Sequence, residues 1–457
     1  MEVDKKTNSV VCWVEDAEDQ AKMLDSIPAG ERGPLHGVPV SVKECYDIAG
    51  TYSSAGMVMF ARNKAEVDSP VVELVKKLGG VPFCKTNVPQ VMYSLQCSNP
   101  IYGTSTNPHG VGRECGGSSG GEGALIGGGG SILGLGSDIG GSLRNPAAFC
   151  GCYSLKPSAG RHLSQLGVVA GTGPSPVGIS VVGGFMGQSA AAVEAGWKSV
   201  WRLDSEQNCQ LVDTGVLPMS WDQKLYDKKP RIGYFATDGM IDPAPGCVRA
   251  VTESLDRLKK AGFETVEIPS PDIYEVMVHF NGIVLAELNS GLYKNMSYDI
   301  YDSTLSGVVA AVTVYKLPWI IKKLIINPIM FLLTRIPPVV TVYNNATKLA
   351  AGLSVRDQFT RDYLKQMDNL GVDIILCPGQ LLPAPPTGVL GMFVAAVSPY
   401  IPWNVMNFPA GIAPITKWTT DDDAKMADYP TDDMAYKMIR NYCKEAEGLP
   451  LSVQVHG

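Results

Sequence analysis

Lys43, Ser118 and Ser142 are the residues whose types and surroundings could together carry out acyl transfer. A serine hydroxyl is a weak nucleophile near neutral pH and needs a base beside it. The five histidines, at 36, 109, 162, 279 and 456, lie neither in HExxH nor beside a GxSxG elbow, so a Ser-His-Asp arrangement has no support. A lysine can serve instead if burial lowers its pKa enough to leave the amine neutral. Lys43 ends the segment VPVSVK, whose alternation puts Val38, Val40 and Val42 on one strand face and Ser41 with Lys43 on the other. Taken alone, a lysine at a strand end reads more simply as a solvated side chain.

The serines have more context. Ser118 and Ser119 stand between glycine pairs in GGSSGG, and Ser142 follows Ile139-Gly140-Gly141. Glycine flanks open backbone angles closed to other residues and let successive N–H groups converge on one point, as an oxyanion hole requires. Ser142 is thereby placed to attack a carbonyl whose oxygen rests on the N–H groups of residues 139–142. A phosphate-binding loop is the competing reading of such glycine–serine clusters. The pattern GxxxxGK[ST] is absent, however, and residues 134–140 have one residue too many for the dinucleotide fingerprint.

These residues need a frame, and the pattern along the chain supplies one. Residues 10–14 read as an apolar strand followed by a short acidic helix, and residues 37–43 as an alternating strand. SPVVELVKKL (69–78) suits an amphipathic helix, and VPFCKT (81–86) is a strand after a Gly-Gly stop. The same rhythm returns as RIGYFA (231–236), a helix over 247–262 and ETVEIP (264–269). A long helix over 347–370, a strand at 373–377 and the terminal strand LPLSVQV close the chain. Strand–helix–strand units predict an α/β protein with a parallel or mixed sheet covered by helices. The glycine-rich stretch 112–160 is interleaved with Leu125, Ile126, Ile132, Leu133, Leu135, Ile139 and Phe149. Flexible glycine linkers lack such residues, so this stretch is expected to pack.

With 457 residues, 45% of them apolar and 18% charged, the chain can bury a large core. A net charge of −7 and no basic patch argue against a nucleic-acid partner. Eleven cysteines are scattered without CxxC pairs, and the start MEVDKKTNSV lacks a signal-peptide pattern, which together predict an intracellular setting with free thiols. Cys150 and Cys152 read as small buried residues, and neither a metal nor a cofactor is expected. LPWIIKKLIINPIMFLL (317–333) is strongly apolar but broken by Pro318, Lys322, Lys323, Asn327 and Pro328. It falls short of the roughly 20 apolar residues that span a bilayer and reads as two short helices. They could be core helices, but Trp319 beside Lys322 and Lys323 favours a surface cap dipping into a lipid leaflet.

Three segments, taken in order, carry a resemblance: GVPVSVKE, then GGSSGGEGALIGGGGSILGLGSDIGGSLR, then NPAAFCGCYSLKPSAGR. Their order, spacing and residue types resemble the amidase signature family. The similarity to its membrane-associated fatty acid amide hydrolases continues through TNVPQVMYSLQCSNPIYG, the apolar segment, FPAGIAPIT and GLPLSVQV. It implies one amidase signature domain over 1–457: a large mixed sheet flanked by helices on both faces, a core motif at 37–161 and an apolar helical cap near 305–340. It implies a Ser-Ser-Lys triad, with Ser142 as nucleophile, Lys43 as base and later acid, and Ser118 as shuttle on a cis peptide after Gly117. The N–H groups of Ile139, Gly140, Gly141 and Ser142 would form the oxyanion hole, with Ser119, Asp138 and Arg144 in support.

The same resemblance implies a lipid amide substrate, with Tyr93 and Leu95 lining an acyl channel and the cap resting on a membrane surface, peripherally or monotopically on endomembranes. A homodimer through the cap follows by the same likeness. Small-amide hydrolases share these core motifs, which leaves non-lipid amides as an alternative. Helices that precede residue 1 and follow residue 457 in the membrane-bound relatives have no counterpart here. A non-catalytic, lipid- or partner-binding form is therefore a second alternative.

Overall fold

The computed structural model describes residues 1–161, 178–201, 221–288, 346–390 and 394–457, together with Ile321. The expected cap at 305–340 and its apolar segment 317–333 otherwise lie outside the described residues.

The N-terminal part opens with α1 (Glu2–Thr7), β1 (Val10–Trp13), α2 (Ala17–Asp25), β2 (Pro39–Lys43), α3 (Pro70–Lys77) and β3 (Val81–Thr86). After a two-strand ribbon, β4 (Ser98–Asn99) and β5 (Gly103–Thr104), the glycine-rich stretch folds as α4 (Gly120–Gly127), β6 (Leu133–Asp138), α5 (Arg144–Cys150) and β7 (Tyr153–Lys156). Then come β8 (Val182–Gly187), α6 (Ala190–Val200), β9 (Ile232–Tyr234), α7 (Pro245–Lys260), β10 (Thr265–Glu267), α8 (Ile273–Leu288) and α9 (Ala346–Leu370). β11 (Ile374–Pro378), α10 (Ile401–Val405), β12 (Ala410–Lys417), α11 (Thr420–Lys425), α12 (Met434–Tyr442) and β13 (Pro450–His456) complete the order.

Eleven of these strands form one mixed sheet in the order β1-β3-β2-β6-β8-β7-β12-β13-β11-β9-β10. β2 runs parallel to both β3 and β6, while β6–β8, β7–β12 and β12–β13 are antiparallel. Helices cover both faces, which the alternation within single strands makes visible. On β11, Leu376 joins the core with α7 and α8, whereas Ile375 and Cys377 join Tyr363 and Met367 of α9. On β2, Val40 and Val42 pack with Val71, Val72, Leu74 and Val75 of α3 and Trp197 of α6. The opposite face of β2 carries Ser41 and Lys43, and α4 covers it. The alternation read from VPVSVK is thus real, but both faces are buried; Lys43 is fully enclosed rather than solvated.

The glycines of α4 and β6 allow this close cover. A Cβ on Gly121 would stand 2.3 Å from the backbone N of Asn87, and one on Gly134 only 2.0 Å from Oε2 of Glu122. Contacts that short exclude any side chain, so the helix lies directly on the sheet. Among the described residues no helix is long and apolar enough to cross a membrane.

Candidate active site

β2, the start of α4 and the end of β6 converge on one buried locus. Lys43 at the end of β2 donates from Nζ to Ser118 Oγ at 2.7 Å and to Ser137 Oγ at 2.9 Å. Burial drives its pKa down, with Cys45, Asp138, Cys97 and Glu122 opposing in part, because a charged amine surrounded by hydroxyls and apolar groups has lost its hydration. A neutral lysine in hydrogen-bond contact with a serine is a competent general base. Ser137, its second partner, lay outside the sequence reading, although it sits within the quoted motif on β6.

The peptide between Gly117 and Ser118 is cis. The N–H of Gly117 donates to Asn145 Oδ1 at 3.2 Å, and a Cβ at that glycine would stand 2.3 Å from the carbonyl oxygen of Ser94. Ser119, next in line, donates its N–H to the carbonyl oxygen of Ser142 at 3.1 Å, tying the two serine loops together. Its hydroxyl accepts from Ser137 N–H at 3.4 Å. Ser118 and Ser142 are nearly enclosed, at 3% and 9% exposure, whereas Ile139 and Gly140 are more open, so the locus opens on the side of the 139–140 backbone.

Asp138 and Arg144 hold that backbone. The Asp138 carboxylate accepts from the N–H groups of Gly141 at 2.9 Å and Leu143 at 3.1 Å, and from Arg144 Nε and Nη2 at 3.0 Å each. Asn404 closes a ring: its Nδ2 donates to Asp138 at 3.0 Å and its Oδ1 accepts from Arg144 Nη2 at 2.6 Å. Arg144 also donates to the Tyr400 carbonyl and to Gln454 Oε1. Burial pushes the Asp138 carboxyl up, but the guanidinium of Arg144 overrides it and holds the group well below the usual carboxylate range. Both side chains are completely buried. The N–H of Gly141, one of four expected oxyanion donors, is therefore engaged by Asp138, while those of Ile139, Gly140 and Ser142 have no acceptor among the described residues.

The walls are apolar where the loop opens. Leu95 and Ile139 pack at the edge of the core cluster that contains Phe280 of α8, whose ring lies 3.2 Å from where a Cβ on Gly140 would stand. Tyr93 is 40% exposed. The ring of Tyr400 would clash with any Cβ on Gly141, at 2.7 Å. Phe280, Tyr400 and Asn404 are distant in sequence from the glycine motifs, and nothing local marks them; Asn145 lies within the third quoted segment and Gln454 within GLPLSVQV.

The family model described as Amidase matches residues 1–457. The chain belongs to the amidase family. It is 34% identical over 461 residues to fatty acid amide hydrolase 1 of Caenorhabditis elegans, covering 99% of this chain and 79% of that protein. To the fatty-acid amide hydrolase 1 of Sus scrofa it is 35% identical over 461 residues, covering 99% and 77%. A solved structure of fatty acid amide hydrolase superposes with a TM-score of 0.82 at 25% identity, over 100% of this chain and 76% of the other. Family and relatives make this chain an amide-hydrolysing enzyme built on the amidase signature fold.

Proposed function

We propose that this amidase hydrolyses fatty acid amides through a Lys43–Ser118–Ser142 relay. The observation that carries the reading is the 2.7 Å hydrogen bond from Lys43 Nζ to Ser118 Oγ at a fully buried position whose pKa is lowered. Neutral Lys43 draws a proton from Ser142 by way of Ser118, and Ser142 Oγ attacks the amide carbonyl. Negative charge collects on the carbonyl oxygen, which rests on the N–H groups of Ile139, Gly140 and Ser142, left without an acceptor among the described residues. Gly141 contributes indirectly, since its bond to Asp138 fixes the loop. The proton on Lys43 returns through Ser118 to the leaving nitrogen, and water then cleaves the acyl-enzyme by the same relay run in reverse.

The lipid substrate rests on the names of the relatives and on the apolar surroundings of the opening. Leu95, at the core edge near Gly117, and Tyr93 beside it are the proposed lining of an acyl channel, each buried CH₂ contributing roughly 0.8 kcal/mol. Tryptophan and lysines within an apolar sequence favour residues 305–340 as the membrane contact of a single-domain, intracellular, peripherally bound enzyme, and as its homodimer contact. The test pairs fluorophosphonate labelling, mapped by mass spectrometry, with a series of p-nitroanilides from butanoyl to dodecanoyl. Labelling at Ser142 that vanishes in Ser142→Ala, with kcat/KM climbing along the series, is expected. Labelling at another serine overturns the relay, and a flat series overturns the lipid channel.

A further inference from the structure

Two buried carboxylates near Lys43 have no part in the proposed relay: Glu44, the next residue, is taken up by Ser54 and Ala55, and Glu122 is the one that acts on the lysine. Glu122, in the first turn of α4, is fully buried, and its Oε2 accepts from Ser41 Oγ at 2.6 Å while Oε1 accepts from Thr86 Oγ1 at 2.8 Å. Ser41 stands two residues before Lys43 on the same face of β2, and Thr86 is the residue directly opposite Lys43 in the β2–β3 pairing. A single carboxylate thus clasps both strands at the point where Lys43 leaves the sheet. Ser131 extends the clasp, its hydroxyl lying 2.9 Å from that of Ser41. Room for it exists only because position 134 lacks a side chain: a Cβ there would stand 2.0 Å from Glu122 Oε2 and 2.6 Å from Ser41 Oγ.

Charge is incompletely matched on both sides of this clasp. Among the described residues no lysine or arginine makes an ion pair with Glu122, and the hydrogen bonds of Lys43 Nζ run to two neutral hydroxyls. The other groups facing the pair do not supply the missing charge. Asp138 is matched by Arg144, and the thiols of Cys45, Cys84 and Cys152 are pushed up by burial and stay neutral; Cys97 completes the set. A buried amine that gains a proton during the reaction is most stable when a carboxylate lies within Coulomb range in the same dry interior.

We propose that Glu122 is a positioning residue for the relay: it holds the β2–β3 end that aims Lys43 at Ser118, and its carboxylate is the counter-charge for Lys43 while the lysine carries the proton taken from Ser142. This role rests on Lys43 being the base. The carboxyl itself is raised to about 7 by burial, against the hydroxyl donors of Ser41 and Thr86, so it is ionised on the alkaline side of neutrality, where the lysine works as base.

The experiment follows the rate of fluorophosphonate labelling at Ser142 between pH 6 and 10, a readout independent of the natural substrate. In the wild type the rate rises with pH as Lys43 loses its proton. Glu122→Gln keeps the shape but removes the charge, so the ammonium is less favoured and the rise moves to lower pH by about 0.5–1 unit. Glu122→Asp retains the charge and is expected to keep the rise near its wild-type position, even with a slower rate. A merely structural role slows labelling at every pH and leaves the rise unmoved in Glu122→Gln, which would overturn the proposal. If that variant does not fold by circular dichroism, Ser41→Ala decides. Loss of a donor makes the carboxylate harder to ionise, so the rise again moves down, and an unmoved rise counts against the role. Lys43→Ala labelled at the wild-type rate would overturn the base itself, whatever Glu122 does.

Discussion

Two buried ionisable clusters meet at the ends of β2 and β6 and treat charge in opposite ways. Around Asp138 every demand is met: two loop N–H groups, Arg144 and Asn404 all donate to one carboxylate. Around Lys43 the hydrogen-bond partners are neutral hydroxyls, and burial prevails. A matched pair is a fixture, since ionisation there is favoured strongly enough to persist at any working pH. An incompletely matched amine is poised, since the cost of its charge brings its proton affinity toward neutrality. The same dry environment therefore makes Asp138 a scaffold and Lys43 a reagent.

Replacing one member of each cluster separates the two roles. Lys43→Met is expected to lower kcat by about a thousandfold or more on any amide substrate. Its melting temperature at pH 7 should nonetheless match or exceed that of the wild type. The sign follows from linkage: the folded pKa of Lys43 lies below the unfolded one, so the unfolded chain binds more protons and the wild type carries a penalty below about pH 10.4. Thermal melts of both proteins should converge as the pH approaches that value, and a gap that stays constant would remove Lys43 from the poised class.

Arg144→Met should do the reverse, chiefly to stability. It leaves Asp138 buried without its cation and is expected to cost about 3–5 kcal/mol in urea unfolding, with loss of activity following from a loosened 139–143 loop. Because the folded pKa of Asp138 is depressed, the stability it contributes is present above about pH 4 and is lost as the pH falls further, through the folded value. The difference between wild type and variant should narrow over that acid range. At the small end, Lys22→Ala removes an exposed pair with Asp19 and should leave the melting temperature unchanged. A measurable drop there would mean that charge pairs matter here irrespective of burial.

Much of this was legible in the chain before any coordinates. The alternation of VPVSVK, the amphipathic run 69–78, the helix over 247–262 and the helix over 347–370 each correspond to an observed element, with boundaries displaced by no more than a few residues. Local periodicity and end signals decide such elements, and they need no knowledge of the rest of the fold. The glycine-rich motifs announced close packing because contacts as short as those at Gly121 and Gly134 exclude side chains. Less visible were Asn404, Gln454, Tyr400 and Phe280, whose parts in the site depend on strands and helices brought from 140 or more positions away.

The sequence by itself determined the family, the run of elements and which residue types are available for acyl transfer, because these reside in order, spacing and side-chain chemistry. Tertiary structure decided that Lys43 is enclosed rather than solvated, that Ser137 accepts a second hydrogen bond from it and that the N–H of Gly141 is engaged by Asp138. It also brought Glu122 to the hydroxyls of Ser41 and Thr86, which flank the lysine on β2 and β3. The physical reason is that burial and charge compensation are properties of the assembled interior: a lysine's proton affinity is set by what surrounds it in space, and its neighbours along the chain do not fix that.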